Sequence, residues 1–125
     1  MTKILFLDDD PTRHTTFRRN SIGTPYDAVF NYEDAVALLA KHKYDRVYLD
    51  HDLSFQAAMG APSESEKTGY DVAVFISTLP AHLQPQRVVI HSFNPSGAFR
   101  MALVLQGCGV RVVRRVFDGQ MSANS

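Results

Sequence analysis

The sequence predicts an α/β domain built on a parallel sheet. Short apolar runs of strand length alternate with segments that carry apolar residues at helical spacing, which is the pattern of strands joined by crossover helices. The first run, Lys3–Leu7, is apolar almost throughout, as expected for a strand covered on both faces. The chain has 125 residues, of which 45% are hydrophobic, and this is enough for one domain with one core.

The first half of the chain is predicted to alternate strand and helix. Asp10 suits the N-cap of the first helix, and Pro11 suits its first turn. Asn31 can cap the second helix in the same way. In order, the predicted elements are strand Lys3–Leu7, helix Pro11–Asn20, strand Ala28–Phe30, helix Tyr32–His42 and strand Arg46–Leu49.

The second half begins with the segment Ser54–Thr68, whose small and polar residues predict a loop. This loop directly follows an acidic segment, so it is either a lid over a site or a plain surface loop. Gly107 and Gly109 are expected to end the last helix. The remaining predicted elements are helix Gly69–Leu79, strand Val88–Ile90, helix Pro95–Gln106, strand Val110–Phe117 and the tail Asp118–Ser125.

Acidic residues follow two of the predicted strands directly. In parallel sheets, ligands bind outside the carboxyl ends of the strands, so Asp8, Asp9 and Asp50 are expected to converge there. Clustered carboxylates repel one another unless a cation neutralises them, and Mg²⁺ prefers oxygen ligands. The sequence therefore predicts a divalent metal held by these three residues, with Mg²⁺ first and Mn²⁺ as the alternative. The competing interpretation is that the triplet ending in Asp10 only caps a helix.

Two histidines, His51 and His91, stand at the ends of strands expected to be neighbours. Two facing imidazoles can act as general base and general acid near neutral pH. They can instead coordinate a softer metal, Mn²⁺ or Zn²⁺, together with Asp52, which is otherwise a metal ligand or a base. The other histidines, His14, His42 and His82, are predicted to be solvated.

Four further residues are candidates for binding a phosphate. Ser92 follows a strand and precedes a helix, and Asn94 either contacts the phosphate or caps that helix. Arg114 and Arg115 are adjacent on the last strand, so their side chains point to opposite faces. One of them is expected to reach the site and hold an anion.

The composition excludes several classes of protein. The 13 basic and 13 acidic residues balance, which argues against a general DNA-binding or membrane-binding protein. The single Cys108 excludes a disulfide framework and a cysteine zinc site. No apolar run approaches the roughly 20 residues of a membrane helix, and no signal peptide is visible. We expect a cytoplasmic protein with no membrane partner.

The run ILFLDDDP resembles the first strand and acidic pair of response-regulator receiver domains, and EDAVALLAKHKYDRVYLD resembles their second helix and third strand. The resemblance covers about residues 3–117. It implies a three-layer, five-stranded parallel sheet in the flavodoxin-like order 2-1-3-4-5. It also implies that Asp8 and Asp9 bind Mg²⁺ with Asp50, the phosphoacceptor position, and that Ser92 contacts a phosphoryl group.

The departures from receivers are informative. Arg114 and Arg115 replace the family's Lys-Pro, and Arg111 replaces its aromatic switch residue, so switching by phosphorylation is in doubt. LDHDL, TGYDVA and HSFNPSGAFRM look like the cyclic-phosphate-processing receiver-like family. That resemblance implies a metal-assisted phosphoesterase that opens a cyclic phosphate on a nucleotide or at an RNA end.

Other functions stay open at this point. Asp50 would accept a phosphoryl group if the domain is a signalling module, and a binding-only protein would sequester a cyclic nucleotide without turnover. FLDDDPT also resembles the opening motif of haloacid-dehalogenase-type phosphatases, with Asp8 as nucleophile and Asp10 as acid. The chain is short for that fold and leaves His51 and Asp52 without a role.

The tail Asp118–Ser125 is too short and too polar for the fifth helix of a receiver. One face of the sheet near the fourth and fifth strands is therefore expected to expose apolar surface, and such patches usually mark interfaces. The sequence predicts a homodimer packed through that face.

Overall fold

The computed structural model describes residues 3–53 and 67–124. Most of the predicted loop Ser54–Thr68, with its possible role as a lid, lies outside these residues. The strands are β1 (Ile4–Leu7), β2 (Asp27–Val29), β3 (Arg46–Leu49), β4 (Arg87–Ile90) and β5 (Arg111–Arg114). The helices are α1 (Pro11–Asn20), α2 (Tyr32–Leu39), α3 (Gly69–Thr78) and α4 (Pro95–Gly107), with a short 3₁₀ turn at Ala81–Leu83.

All five strands are parallel, in the order β2-β1-β3-β4-β5, as the resemblance implied. The register aligns Leu7, Leu49 and Ile90, the last residues of β1, β3 and β4. The residues that follow them are therefore neighbours along the carboxyl edge of the sheet, where ligands of such folds bind.

The side chains of each strand alternate between two apolar layers. Leu7, Leu49 and Ile90 belong to a buried cluster that also contains residues of α2, α3 and α4. Phe6 and Tyr48 point the other way, into a second cluster with Phe17 of α1. We call these the α3/α4 face and the α1 face of the sheet. The alternation decides which residues past the strand ends share a face.

Two elements end three residues earlier than predicted. β5 ends at Arg114 rather than Phe117, although the N–H groups of Arg115 and Phe117 still donate to the carbonyls of Ile90 and His91 at 2.9 and 3.3 Å. α2 ends at Leu39, because the chain tightens there and the N–H groups of residues 41 and 42 both bond the Leu38 carbonyl.

The expectation of an uncovered apolar face is wrong for much of that face. No helix follows β5 in residues 115–124, but Met121 and Ala123 are buried against the α1-face cluster around Phe6 and Tyr48. The Tyr48 hydroxyl donates to the carbonyl of Ser122 at 2.9 Å. A short segment suffices because a flexible Met side chain fills an irregular gap.

The homodimer loses most of the surface that motivated it, since only Val113 and Val116 stay exposed there among the large apolar residues described after Val110. The dimer itself remains a prediction, which the molar mass in solution tests. Within residues 3–53 and 67–124, no helix is both long enough and apolar enough to span a membrane.

Replacing Met121 tests whether the tail belongs to the core. Met121→Ala should lower the free energy of unfolding by about 2–5 kcal/mol, because a buried Met side chain is lost and a cavity is left. Urea denaturation measures this, with the exposed neighbour Gln120→Ala as the control. Equal, small effects of the two substitutions would show that the tail does not pack as described.

Candidate functional site

Three carboxylates meet at the carboxyl edge of the sheet, as predicted. One oxygen from each of Asp8, Asp9 and Asp50 lies within 4.8 Å of the others. Asp8 and Asp50 are 0% and 4% exposed. This spacing lets one divalent ion contact all three carboxylates, and an all-oxygen donor set suits a hard cation such as Mg²⁺.

The backbone fixes these carboxylates. The N–H of Asp50 donates to the Leu7 carbonyl at 3.3 Å, which ties the end of β3 to the end of β1. One oxygen of Asp8 accepts the Asp10 N–H at 2.8 Å. Asp10 in turn caps α1 by accepting the Thr12 N–H at 2.8 Å. The acidic triplet therefore both caps a helix and builds the site, so the two interpretations of the sequence do not exclude each other.

Arg13 lies among these carboxylates and was missed at the sequence level. Its Nε and Nη2 donate to the two oxygens of Asp8 at 2.7 and 3.0 Å, which is the strong two-pronged geometry. The same Nη2 lies 3.4 Å from Asp50 and 3.7 Å from Asp9. The signal was present, because Arg13 stands four residues after Asp9 on a helix.

The single charge of Arg13 does not balance the buried Asp8 and Asp50 together with the partly buried Asp9. Burial, and next the charge of Asp8, raise the pKa of Asp50 to about 8, and Arg13 offsets only part of this. Asp50 is therefore largely protonated at neutral pH unless more positive charge arrives. This requirement is the feature of the chain that fits a divalent cation, and only Asp8, Asp9 and Asp50 form such a group in the described residues.

His91 lies on the α1 face beside this cluster. Its ring stacks on Phe6 with centroids 5.2 Å apart, and Nε2–H donates to the Leu7 carbonyl at 3.2 Å. Nδ1 lies 3.6 Å from a carboxylate oxygen of Asp8 and has no hydrogen-bond partner among the described residues. Burial lowers the pKa of His91 to about 4, so this ring is neutral at pH 7 and, at 1% exposed, does not reach solvent.

His51 lies on the α3/α4 face instead. A Cβ built on Gly97 would come within 2.5–2.8 Å of three atoms of the His51 ring, so the ring packs directly on α4. His51 Nδ1 lies 2.8 Å from an oxygen of Asp52 and 3.4 Å from the Asn94 side-chain nitrogen. The expected pair of facing histidines is therefore wrong, because one residue of offset puts the rings on opposite faces. Asp52 has a 63% exposed side chain.

The phosphate-binding candidates mostly shape the start of α4. Buried Ser92 accepts the Asn94 N–H on Oγ at 3.0 Å, and its carbonyl accepts from Arg114 at 2.9 Å. Asn94 caps α4 through the Gly97 N–H at 2.9 Å. Alternation along β5 places Arg115 on the α1 face with His91, where its side chain is 40% exposed and 4.0 Å from Asp118.

The TGYD motif packs the start of α3 against the backbone of Asp50 and His51. Thr68 and Asp71 form a capping box at the start of α3, which satisfies the first N–H groups of that helix. The Gly69 N–H donates to the His51 carbonyl at 2.7 Å. A Cβ on Gly69 would lie 1.7 Å from the Asp50 carbonyl oxygen, so a side chain here is incompatible with this packing.

The prediction that His14 is solvated is wrong. It is 8% exposed, stacks on Phe30 with centroids 3.8 Å apart, and donates from Nε2 to the Asp8 carbonyl at 2.7 Å. Burial lowers the pKa of His14. Its position three residues before Phe17, the other buried residue of α1, was the available signal.

Comparisons with known proteins agree with this fold. The family model described as "Cyclic-phosphate processing Receiver domain" matches residues 3–107. A comparison with curated proteins gave no match. Three solved structures share the fold: a Burkholderia pseudomallei response regulator (TM-score 0.62, 15% identity), a Methanospirillum hungatei receiver domain (0.62, 10%) and a Hahella chejuensis response regulator (0.61, 20%). The alignments cover 96%, 96% and 92% of this chain and 63%, 86% and 80% of those chains, so the match spans under two thirds of the Burkholderia protein.

The pH dependence of stability tests the charge balance of the cluster. The folded-state pKa of Asp50 is about 8 against an ordinary 3.8, so the folded protein holds a proton that the unfolded chain has released. The stabilisation is present at low pH and is lost as the pH rises towards 8. Below pH 6.5 the lowered pKa of His91 has the opposite effect, because it makes the free energy of unfolding rise with pH.

In cation-free protein, unfolding free energy should therefore fall between pH 6.5 and 8 by up to about 2 kcal/mol, at about 1.4 kcal/mol per pKa unit. Asp50→Asn should flatten this slope, whereas the exposed Glu33→Gln should leave it unchanged. Denaturation at several pH values in a chelator measures it. A slope that persists in Asp50→Asn would show that another group titrates.

Gly97→Ala tests the packing of His51 on α4. Alanine in a helix is ordinarily more stable than glycine by about 1 kcal/mol, but here the new methyl group would collide with the ring. We expect net destabilisation and a shifted His51 ring resonance in NMR spectra. Gly107→Ala, with no heavy atom of the described chain within 4 Å of its Cβ, is the control and should not destabilise. A stabilised Gly97→Ala protein would show that the ring lies elsewhere.

Proposed function

The chain belongs to the family of cyclic-phosphate processing receiver domains, and from this we propose that its acidic edge hydrolyses a cyclic phosphate ester with the help of a divalent metal. Mg²⁺ is the first choice and Mn²⁺ the alternative. The carrying observation is the cluster of Asp8, Asp9 and Asp50, whose oxygens lie within 4.8 Å of one another. The substrate class is a cyclic nucleotide or an RNA end with a cyclic phosphate.

A divalent ion held by Asp8, Asp9 and Asp50 would supply positive charge that polarises a phosphoryl oxygen. The chain supplies further charge at the same edge. Arg13 is bonded to Asp8 on one side of the cluster, and Arg115 lies on the same face. In this proposal, both guanidinium groups balance charge that develops on phosphate oxygens.

Asp52 is the base in this proposal. It follows Asp50 by two residues. Its side chain is 63% exposed, whereas the side chains of the three clustered carboxylates are largely shielded from solvent. Its oxygen lies 2.8 Å from His51 Nδ1, so the imidazole N–H orients the carboxylate. A water oxygen forms the new bond to phosphorus, and one ester bond of the ring breaks. Asp52 takes the proton of the water, and solvent returns a proton to the leaving oxygen.

The two histidines are positioning residues here. His51 orients Asp52, and the neutral ring of His91 packs beneath the cluster, with Nδ1 3.6 Å from Asp8. The neutral, buried state of His91 argues against the direct acid–base role expected from the sequence. This division gives each histidine a different carboxylate, in keeping with their placement on opposite faces.

Phosphoryl acceptance by Asp50 is the second candidate. The Burkholderia neighbour is described as a response regulator with a phosphorylated aspartic acid, a calcium ion and citrate. Asp50 stands at the end of β3 beside two further carboxylates, which is compatible with the same chemistry. Arg114 and Arg115, where receivers carry Lys-Pro, weigh against a receiver switch.

An assay against cyclic mononucleotides, cyclic dinucleotides and RNA with a 2′,3′-cyclic phosphate end tests the first candidate, with Mg²⁺ or Mn²⁺ added. Turnover should fall by about 100-fold or more in Asp50→Asn, because a metal ligand loses its charge. Glu33→Gln is a surface control of equal charge change and should keep full activity. Loss of activity in the chelator should be reversed by added metal.

A folded protein that turns over none of these substrates would contradict the enzyme proposal. Incubation with acetyl phosphate then distinguishes the remaining two functions. A phosphoacceptor should gain about 80 Da, the mass of a phosphoryl group, and Asp50→Asn should abolish this gain. Tight binding of a cyclic nucleotide without turnover identifies a sequestering protein.

A further inference from the structure

Three arginines stand side by side at the amino ends of neighbouring strands. The sheet register pairs Arg46 of β3 with Arg87 of β4, and Arg87 with Arg111 of β5. Neighbouring strands lie about 4.8 Å apart, so the three side chains start from one row about 10 Å long. We call this row the arginine ladder.

All three side chains point to the same face of the sheet. Val47, Val88 and Val112, the next residues along each strand, pack in or against the α3/α4-face core. Successive residues alternate, so the ladder lies on the α1 face. This is the face that a fifth helix would cover in an ordinary receiver domain, and here the tail covers only part of it.

The ladder borders a cavity of about 460 Å³. Its other lining residues are Asp45, Gln86 and Gly109. Three of the six lining residues are arginines and one is an aspartate, so positive side chains outnumber negative ones in this lining. A cavity of this size falls in the usual range for small-molecule sites.

Two members of the ladder, Arg87 and Arg111, are not neutralised by carboxylates of the described residues. Arg46 is anchored, since its Nη1 donates to the Tyr48 hydroxyl and to the Ala123 carbonyl, each at 3.0 Å. Arg87 and Arg111 form no ion pair and no side-chain hydrogen bond within residues 3–53 and 67–124. Like charges directly opposite one another across a sheet are destabilising, so the row favours an anion.

We propose that this cavity binds a compact anion with at least two negative charges, of the diphosphate class. The planar guanidinium group matches phosphate oxygens in pairs, and a row about 10 Å long suits two linked phosphates better than a single carboxylate. The site lies at the opposite ends of the strands from Asp8 and Asp50. It is therefore independent of the proposed hydrolysis.

Calorimetry with inorganic pyrophosphate tests this site, in a chelator so that no metal-dependent binding contributes at the acidic edge. The wild-type chain should bind pyrophosphate. The double variant Arg87→Gln/Arg111→Gln should bind it at least about tenfold more weakly, because charge-assisted hydrogen bonds are lost. Arg18→Gln/Arg19→Gln, an equal change of charge on exposed positions of α1, should bind as the wild type does. Asp50→Asn should also leave binding unchanged.

The proposal is overturned if the wild-type chain does not bind pyrophosphate at millimolar concentration. It is equally overturned if the Arg18/Arg19 double variant weakens binding as much as the ladder variant, since that would indicate a general charge effect. Thermal unfolding provides a second measurement that confirms folding. Pyrophosphate should raise the melting temperature of the wild-type chain but not that of the ladder variant, whose own stability should be unchanged or higher.

Discussion

The mutual repulsion of three carboxylates at one sheet edge is the constraint on which the rest of the site depends. Asp8 and Asp50 are nearly without solvent, so their charges are screened poorly, and the protein must neutralise them or keep a proton. Arg13 bridges both carboxylates, His14 holds the Asp8 carbonyl, and His91 lies beneath as a neutral ring. The raised pKa of Asp50 reflects burial and the charge of Asp8, which these contacts only partly offset. A divalent cation would offset the rest.

The pleat of the sheet then decides which polar groups act together. Asp8, Asp50 and His91 each follow a strand by one residue and face α1, whereas His51 and Ser92 follow by two and face α3 and α4. The acidic edge therefore has two sides. On one side Arg13 bonds the cluster and the neutral His91 ring packs beneath it. On the other side His51 connects Asp52 to the start of α4. Asp52 belongs to the second side, but its exposed carboxylate extends into solvent at the same edge.

The strands, the helices and the cluster of Asp8, Asp9 and Asp50 follow from local signals. Asp10 with Pro11 predicts the start of α1, and Asn31 predicts the start of α2. Each apolar run predicts a strand, so these elements could be predicted to within a few residues. The face of the sheet on which a side chain lies depends on the exact residue at which its strand ends, because a shift of one residue moves the side chain to the other face. The sequence does not give this to one residue, and the two histidines were therefore wrongly paired. The burial of Met121 and Ala123 depends on contacts with residues about a hundred positions away, and no local pattern reports them. Arg13 and His14 carried weak helical spacing signals beside stronger acidic ones.

The zero net charge of the chain conceals a separation of opposite charges between the two ends of the sheet. Acids gather at the carboxyl ends of the strands, where Arg13 enters the cluster. Arginines align at the amino ends, where Asp45 lies beside them. An evenly mixed surface would pair these charges locally and leave no field at either edge. Here each edge keeps an excess of one sign, because the rows of Asp8 with Asp50 and of Arg87 with Arg111 are fixed by strand register rather than by flexible surface side chains. A single sheet therefore presents clustered acids at one end and a row of arginines at the other, and the backbone positions both sets.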